Sequence, residues 1–281
     1  MEEFLQRYKR LGKTVNIDVQ LKRAIRFNSI KTTREKFEDA LSRRRIHFKK
    51  PSWLNQGYFV NSRFSLSSVP EYLLGHYYIQ EAASQFAVEA LKPKGLVLDC
   101  CAAPGGKTAQ IAQSADLVVA LESHYQRCQV LKNNLQRLGV NNCVVYNTDV
   151  RKFDQCQFDQ ILVDAPCSGN YAIDKKWFYK QTIKNILQRS QLQRDILEHA
   201  FSLLKPKGEL VYSTCSLEPE ENEMVVEWAL QNFDVKLMEI GKAGSEGLTN
   251  VFGEKLSNEI KKCRRFWPGE TQGFFVAKFK K

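Results

Sequence analysis

Five short apolar runs, set among stretches with helical spacing, constrain this chain more than any other feature. The runs are Leu96–Cys100, Leu117–Glu122, Cys143–Asn147, Gln160–Asp164 and Glu209–Thr214. Around them lie Gln80–Leu91, Lys107–Gln113, His124–Leu138, Thr182–Leu204 and Asn222–Asn232, whose apolar positions recur at the period of a helix. In the first of these, Ala83, Phe86, Ala87 and Ala90 form an inward stripe. Lys92-Pro93-Lys94-Gly95 and Lys205-Pro206-Lys207-Gly208 supply stop signals. Strands that are apolar throughout are buried on both faces. Alternating with helices, they predict an α/β domain with a mainly parallel sheet covered on both sides. Val235–Ile240 and Gly273–Phe279 read as closing strands. In such sheets ligands bind beyond the carboxyl ends of the strands, near the reversal of strand order. The strand tips are therefore where function is to be sought.

The front of the chain has a different texture. Residues 1–30 show helical spacing, with Phe4, Leu5, Tyr8 and Leu11 on one face and Val19, Arg23 and Arg26 on another turn. Thr32-Thr33-Arg34-Glu35 opens a second helix that runs to about Arg44. Residues 46–69 read as short strands broken by Pro51 and Gly57. This predicts a small α+β module over residues 1–72 and a larger α/β domain over 73–281, a division that suits a 281-residue chain.

Charge separates the same two parts. The net charge is +11, and residues 1–75 hold 16 Lys/Arg against 7 Asp/Glu. A basic front end on a near-neutral body suits a polyanion, with nucleic acid the first candidate, although a merely solvated surface explains the charge equally well. Arg43-Arg44-Arg45 and Lys49-Lys50 lie near Phe48, Trp53 and Tyr58. Cations interleaved with aromatics favour RNA, because aromatics stack on bases.

No apolar run is long enough for a membrane span, and the charged N-terminus lacks a signal core, so a cytoplasmic protein without membrane partners is expected. Its eight cysteines should then stay reduced. None forms a C-x-x-C pair or a His/Cys cluster, so no metal site is expected. Cys101, Cys128, Cys143, Cys156 and Cys263 are assigned the ordinary role of small buried hydrophobes. A monomer is the plain expectation for the assembly.

The first strand tip reads Asp99-Cys100-Cys101-Ala102-Ala103-Pro104-Gly105-Gly106-Lys107-Thr108. Small residues and two glycines let backbone approach a ligand closely, and the next helix offers free N–H groups. Neither a phosphate-binding P-loop nor the G-x-G-x-x-G pattern is present. The second tip ends on Glu122, where an acid suits ribose hydroxyls; a helix-capping carboxylate is the plainer reading. The third is Thr148-Asp149, placed to reach an adenine amino group. Acids at three successive tips favour S-adenosyl-L-methionine (SAM) over a dinucleotide.

The fourth tip reads Asp164-Ala165-Pro166-Cys167-Ser168-Gly169 and the fifth Ser213-Thr214-Cys215-Ser216. Either cysteine alone would more often belong to a core. Two at equivalent tips, one beside an acid, suit methylation at carbon 5 of a pyrimidine. That carbon is too weak a nucleophile until a thiolate adds at carbon 6. An acid near ring nitrogen 3 stabilises the charge that builds there, and a base must later remove the carbon 5 proton.

These residues carry a family resemblance. Gly75-His76-Tyr77-Tyr78-Ile79-Gln80-Glu81-Ala82-Ala83-Ser84, the run from Asp99 to Thr108, Asp164 to Gly169, and Tyr212 to Ser216 continuing into Pro219-Glu220-Glu221-Asn222-Glu223 resemble the RsmB/Nop/Sun RNA cytosine-5 methyltransferases. The short archaeal tRNA type is the nearest in pattern. The resemblance covers roughly residues 70–281, and the front module more loosely. It implies a class I SAM-dependent methyltransferase fold, Rossmann-like, with a seven-stranded, mostly parallel sheet whose last strand is antiparallel. It also implies that Cys215 is the nucleophile, that Cys167 assists product release and that Asp164 contacts the cytosine. Cys100, Cys101, Ala102, Ala103, Pro104, Gly105, Gly106, Lys107, Glu122, Arg127, Asp149 and Asp164 would hold SAM. Lys107 would lie near the reacting centre, and Cys100 would act only through its backbone. DNA cytosine-5 methyltransferases attack from a Pro-Cys cysteine, which makes Cys167 the rival nucleophile. Asn170–Lys176 departs from the small-residue turn common in bacterial members. The implied substrate is tRNA, then rRNA. Two other readings are a SAM enzyme that methylates an exocyclic amine and a non-catalytic RNA-binding or assembly factor. The first lacks its Asp/Asn-Pro-Pro-aromatic turn; the second need not have kept both cysteines and Asp164.

Overall fold

The computed structural model describes all 281 residues. Helix α1 (Glu2–Arg10) is followed by strand β1 (Ala24–Phe27), helix α2 (Arg34–Arg43), strands β2 (His47–Lys49) and β3 (Gly57–Asn61), the one-turn helix α3 (Pro70–Leu73) and strand β4 (Tyr77–Ile79). The four strands form an antiparallel sheet in the order β2-β3-β1-β4. Phe37 and Leu41 of α2 pack on Ile25, Phe27, Tyr58, Val60 and Tyr77, which covers one face of this sheet. The Thr33 hydroxyl accepts the Lys36 N–H and caps α2, as the sequence predicts.

Two expectations for the front section are corrected. The helical spacing read over residues 1–30 ends at Leu11, where Lys13 N–H bonds back to the Tyr8 carbonyl and closes α1. An Asn16 side chain then accepts the Asp18 N–H in a turn, and Arg26 lies on a fully buried strand. Tyr58 and Trp53, read as candidate base-stacking aromatics, are packed inward. Tyr58 is buried, with its hydroxyl between Arg34 and Glu38. Trp53 packs on Phe86 and Phe266.

The main body continues with α4 (Ala82–Leu91), β5 (Leu96–Asp99), α5 (Gly106–Ile111), β6 (Leu117–Leu121), α6 (Tyr125–Leu138), β7 (Cys143–Tyr146) and β8 (Phe158–Asp164). Then come α7 (Trp177–Lys180), α8 (Ile183–Leu203), β9 (Leu204–Thr214) and α9 (Glu223–Asn232). The last part holds β10 (Lys236–Leu237), β11 (Ser245–Glu246), β12 (Asn250–Val251), β13 (Glu254–Lys255), β14 (Arg264–Phe266) and β15 (Phe274–Lys280). The large sheet runs β11-β14-β15-β9-β8-β5-β6-β7, with β10 also paired to β15; β12 and β13 form a separate hairpin. Strands β5 to β9 are mutually parallel and β15 is antiparallel to β9. The sheet therefore has nine strands rather than seven. The two additions, β10 and β11, are only two residues long and extend the edge beyond β15.

Side chains alternate across this sheet. Ile161, Val163, Leu210 and Tyr212 face α8 and α9 through Leu197, Phe201, Val225 and Val226. Leu162, Val211, Val97 and Val118 face α4 and α5 through Ala83, Phe86, Ala87 and Ile111. The strand order reverses between β5 and β8, which opens a crevice at their carboxyl ends.

The front section is tied into the body at two places. Phe4, Tyr8 and Leu11 of α1 belong to the large core, with Phe4 edge-on to Trp177 at 4.7 Å. The small sheet also runs past residue 72, since its fourth strand spans Tyr77–Ile79. No helix is long and apolar enough to cross a membrane.

Candidate active site

The turn after β5 sits in the crevice. Gly105 has φ +105°, a backbone region that a side chain would strain, and a Cβ on Gly106 would come within 2.7 Å of the Tyr78 ring. Thr108 donates to Asp99 at 2.7 Å and pins the turn to the end of its strand. Burial first, with the nearby Asp164 charge adding, lifts the Asp99 carboxyl to about 7 despite the Thr108 bond. Its second oxygen has no hydrogen-bond partner. Arg26, fully buried, donates to Gln80 at 3.0 Å and to the Gly106 carbonyl at 2.9 Å, which ties the small sheet to the same turn.

At the next two tips the acids are already engaged. Glu122 is buried, accepts the His124 N–H at 2.9 Å, and lies 3.4 Å from Arg127. Arg127 also donates to the Ala103 carbonyl at 2.8 Å, joining the first and second tips. Asp149 takes Arg151 on both oxygens, at 3.0 and 2.6 Å, and this pairing foremost lowers its pKa. A cavity of about 530 Å3 is bounded by Glu122, Asp149, Cys101, Asp164, Cys167 and Cys215. A smaller one, about 210 Å3, adjoins it and is bordered by Tyr78, Gln80, Asp99, Lys107 and Asp164. Cys101, Ala103 and Asp164 are common to both. Ala102, Pro104 and Gly106 line the smaller one and buried Cys100 the larger.

The fourth and fifth tips bring the two cysteines together. Strands β8 and β9 are paired in register, Asp164 opposite Ser213, so Cys167 and Cys215 leave adjacent strands. Their sulfurs are 3.1 Å apart. The hydrogen bond with Cys215, then burial, raises the Cys167 thiol well above its ordinary value. Either sulfur can donate in this bond. Asp164 accepts Lys107 Nζ at 2.9 Å on one oxygen and Ser213 Oγ at 2.8 Å on the other. Burial opposes the Lys107 ammonium, but Asp164 outweighs it and the pKa is raised.

Behind the sulfurs stands a carboxylate that motif reading did not single out. Glu221 accepts the Ser168 N–H at 2.9 Å, the Ser216 hydroxyl at 2.5 Å, the Gln193 amide at 2.9 Å, and the Ser168 hydroxyl. Ser168 and Ser216 immediately follow the two cysteines, so one buried carboxylate fixes both turns. Burial raises the Glu221 pKa in spite of these donors. Asn170 donates to the Cys215 carbonyl at 2.7 Å and to the Gly273 carbonyl at 3.2 Å. The stretch that departs from the bacterial pattern thus begins by bracing the Cys215 turn. In the sequence Glu221 stands in the run Pro219–Glu223 that carries the family resemblance, with no role of its own assigned to it. Of the cysteines assigned to the core, Cys128 and Cys263 are buried, whereas Cys101 borders the cavity, Cys143 is half-buried and Cys156 is exposed at the start of β8.

Acids at successive tips of a parallel sheet, a glycine turn at the reversal point and a sulfur pair beside them define a class I methyltransferase. The chain belongs to the RsmB/F methyltransferase family: residues 87–280 match the family described as 16S rRNA methyltransferase RsmB/F, and residues 1–82 match the N-terminal domain of 16S rRNA methyltransferase RsmF. It is 38% identical over 275 residues to the Homo sapiens 28S rRNA (cytosine(4447)-C(5))-methyltransferase, covering 92% of this chain but 34% of that protein. The chain thus spans about a third of that relative's length. A crystal structure of a methyltransferase homolog from Pyrococcus horikoshii superposes with a TM-score of 0.88 at 38% identity, covering 100% of this chain and 99% of the other. NSun6 from the same organism, crystallised with a SAM analogue, gives 0.83 at 26% identity over 100% of this chain and 94% of its own. Methyltransferases of this family use SAM.

Proposed function

We propose that this chain transfers a methyl group from SAM to carbon 5 of a cytosine in RNA, with tRNA as the substrate. The observation that carries the reading is the pair of sulfurs 3.1 Å apart, facing the cavity that Asp164 also borders. The donor set fits SAM: Glu122 would take ribose hydroxyls, Thr148 and Asp149 would serve the adenine, and the turn from Cys101 to Lys107 would hold the remainder. Gly106 leaves the space that a Cβ would fill, and the unpartnered oxygen of Asp99 offers a further acceptor in the adjoining cavity. SAM, when bound, supplies the electrophilic methyl and leaves as S-adenosylhomocysteine.

The chain's own groups account for the other steps. Cys215 adds as thiolate to carbon 6, and the displaced π electrons move onto the ring toward nitrogen 3. Nitrogen 3 takes up the proton that the Cys215 thiol gives up, and its N–H would donate to Asp164, whose oxygens also accept from Lys107 and Ser213. Carbon 5 then carries the electron pair that takes the methyl. Removal of the carbon 5 proton regenerates the ring double bond and expels the Cys215 thiolate, the step that Cys167 assists. The target base must leave its stack to reach this crevice. The bond to Cys215 and burial, which raise the Cys167 thiol, support Cys215 as the attacking member of the pair.

Resemblance to the short archaeal tRNA type supports tRNA. The printed name of the human relative favours rRNA as the second reading. The test is mass spectrometry of nucleosides from unmodified tRNA, and separately rRNA, incubated with the protein and SAM. New 5-methylcytidine in tRNA alone supports the proposal, and in rRNA alone it moves the substrate. Its absence from both, with SAM bound, overturns the reaction.

A further inference from the structure

Two adjoining grooves lie on the small sheet, at the edge farthest from the cysteines. One, about 430 Å3, is lined by Arg44, Arg45, His47, Asn61, Arg63 and Phe64. The other, about 500 Å3, holds Lys22, Arg23 and Lys49 with Phe48 and Phe59. His47 and Asn61 border both, so the two form one continuous track across β2 and β3. No carboxylate lines either groove. Glu71 engages Arg44 at 2.7 Å and Glu270 engages Lys22, whereas Arg45, Arg63, Arg23 and Lys49 form no ion pair. Phe64 is 37% exposed, a large apolar ring left open among cations.

Arg45 carries a second signal. It closes α2 with φ 57°, its N–H on the Ser42 carbonyl and the Ile46 N–H on the Leu41 carbonyl. Glycine is the ordinary occupant of that helix-ending position, because a side chain there is strained. The strained backbone aims a guanidinium into the groove, beside unpaired Arg63.

Resting on the reading that the substrate is RNA, we propose that this track binds single-stranded RNA flanking the target cytosine. Arg45 and Arg63 contact phosphates, and Phe64 stacks under a base. A free aromatic ring needs an unstacked base, which a duplex does not present. The reach is consistent with flanking nucleotides. Strand β4 presents Tyr78 to the active-site turn, and β2 lies three strand spacings beyond it, roughly 14 Å. The track therefore acts on affinity for longer RNA and leaves the chemistry alone.

The test compares the full chain with an Arg45→Gly, Arg63→Ala double variant and with Lys242→Ala, an exposed charge elsewhere. Glycine suits the turn, so the double variant should keep its melting temperature. Binding of a labelled single strand of about twelve nucleotides is measured across salt concentrations. Two lost phosphate contacts should lower the slope of log affinity against log salt by about 1.4. The KM for that RNA should rise with kcat and SAM affinity unchanged, and Lys242→Ala should resemble wild type. An unchanged slope and affinity in the double variant overturns the proposal. Equal competition by duplex RNA overturns the single-strand assignment. If the wild type binds and the double variant loses slope while no 5-methylcytidine forms, the track stands and the reaction assignment falls. If the wild type binds no RNA, both fall.

Discussion

At the residue scale, the two cysteines are chemically alike and differ by surroundings. The bond to Cys215 and burial raise the Cys167 thiol, while the Cys215 carbonyl is held by Asn170 and the next residue by Glu221. This asymmetry makes their substitutions separable. Cys215→Ala should lower 5-methylcytidine formation by on the order of a thousandfold or more and form no covalent adduct. Cys167→Ala should still attack and then stall, leaving a protein–RNA band on a denaturing gel. A fully active Cys215→Ala would transfer the nucleophile's role to Cys167. The cysteines and Asp164 were legible because each sits at a strand end, where side chains meet ligands, whereas the place of Lys107 came only from the family resemblance. Glu221 was not, since its importance lies in reaching two turns that are 48 residues apart in sequence. Spacing along one element carries no trace of such a contact.

At the scale of elements, paired β8 and β9 deliver the two cysteine turns and Glu221 fastens them to each other. Glu221→Gln keeps the shape but puts an NH2 in place of one oxygen, so it loses either the two serine hydroxyls on one side or the Ser168 N–H and Gln193 amide on the other. Expected is a fall in kcat of about a hundredfold with SAM affinity unchanged, as misplacement of reacting groups by an ångström would give. Equal loss of SAM binding, measured calorimetrically, would assign Glu221 a merely structural role. The same scale explains which elements the sequence revealed. Strands β5 to β9 are buried on both faces and read as apolar runs. Strand β1 was missed because Arg26 is buried by partners on Gln80 and Gly106, which hydropathy scores as surface. The two- and three-residue strands between residues 245 and 266 are too short to have a period, and their pairing is set by neighbours such as β15.

At the scale of the whole molecule, Asp99 links the site to stability. Its carboxyl is at about 7 when folded, against an ordinary 3.8. Below about pH 4 the group is protonated in both states and adds no penalty. Between about pH 4 and 7 the unfolded chain releases the proton and the folded one holds it, so stability falls as pH rises, and above about 7 the loss is complete. The ceiling is roughly 4 kcal/mol. Asp99→Asn, whose carbonyl can still accept from Thr108, should flatten this part of the profile in urea unfolding followed from pH 4 to 8. An identical slope in both proteins would show that Asp99 is ionised when folded. The seat of α1 has a consequence in time. Tyr8 donates to Glu218 at 2.8 Å, and Arg7 reaches Glu218 and Glu220. Those glutamates are made some 210 residues after Tyr8. At about 5 to 20 residues per second, the first helix therefore waits roughly 10 to 40 seconds on the ribosome before its partner exists. The segment that docks it is the one just beyond Cys215, so the nascent chain seats α1 and completes the two cysteine turns in the same late event.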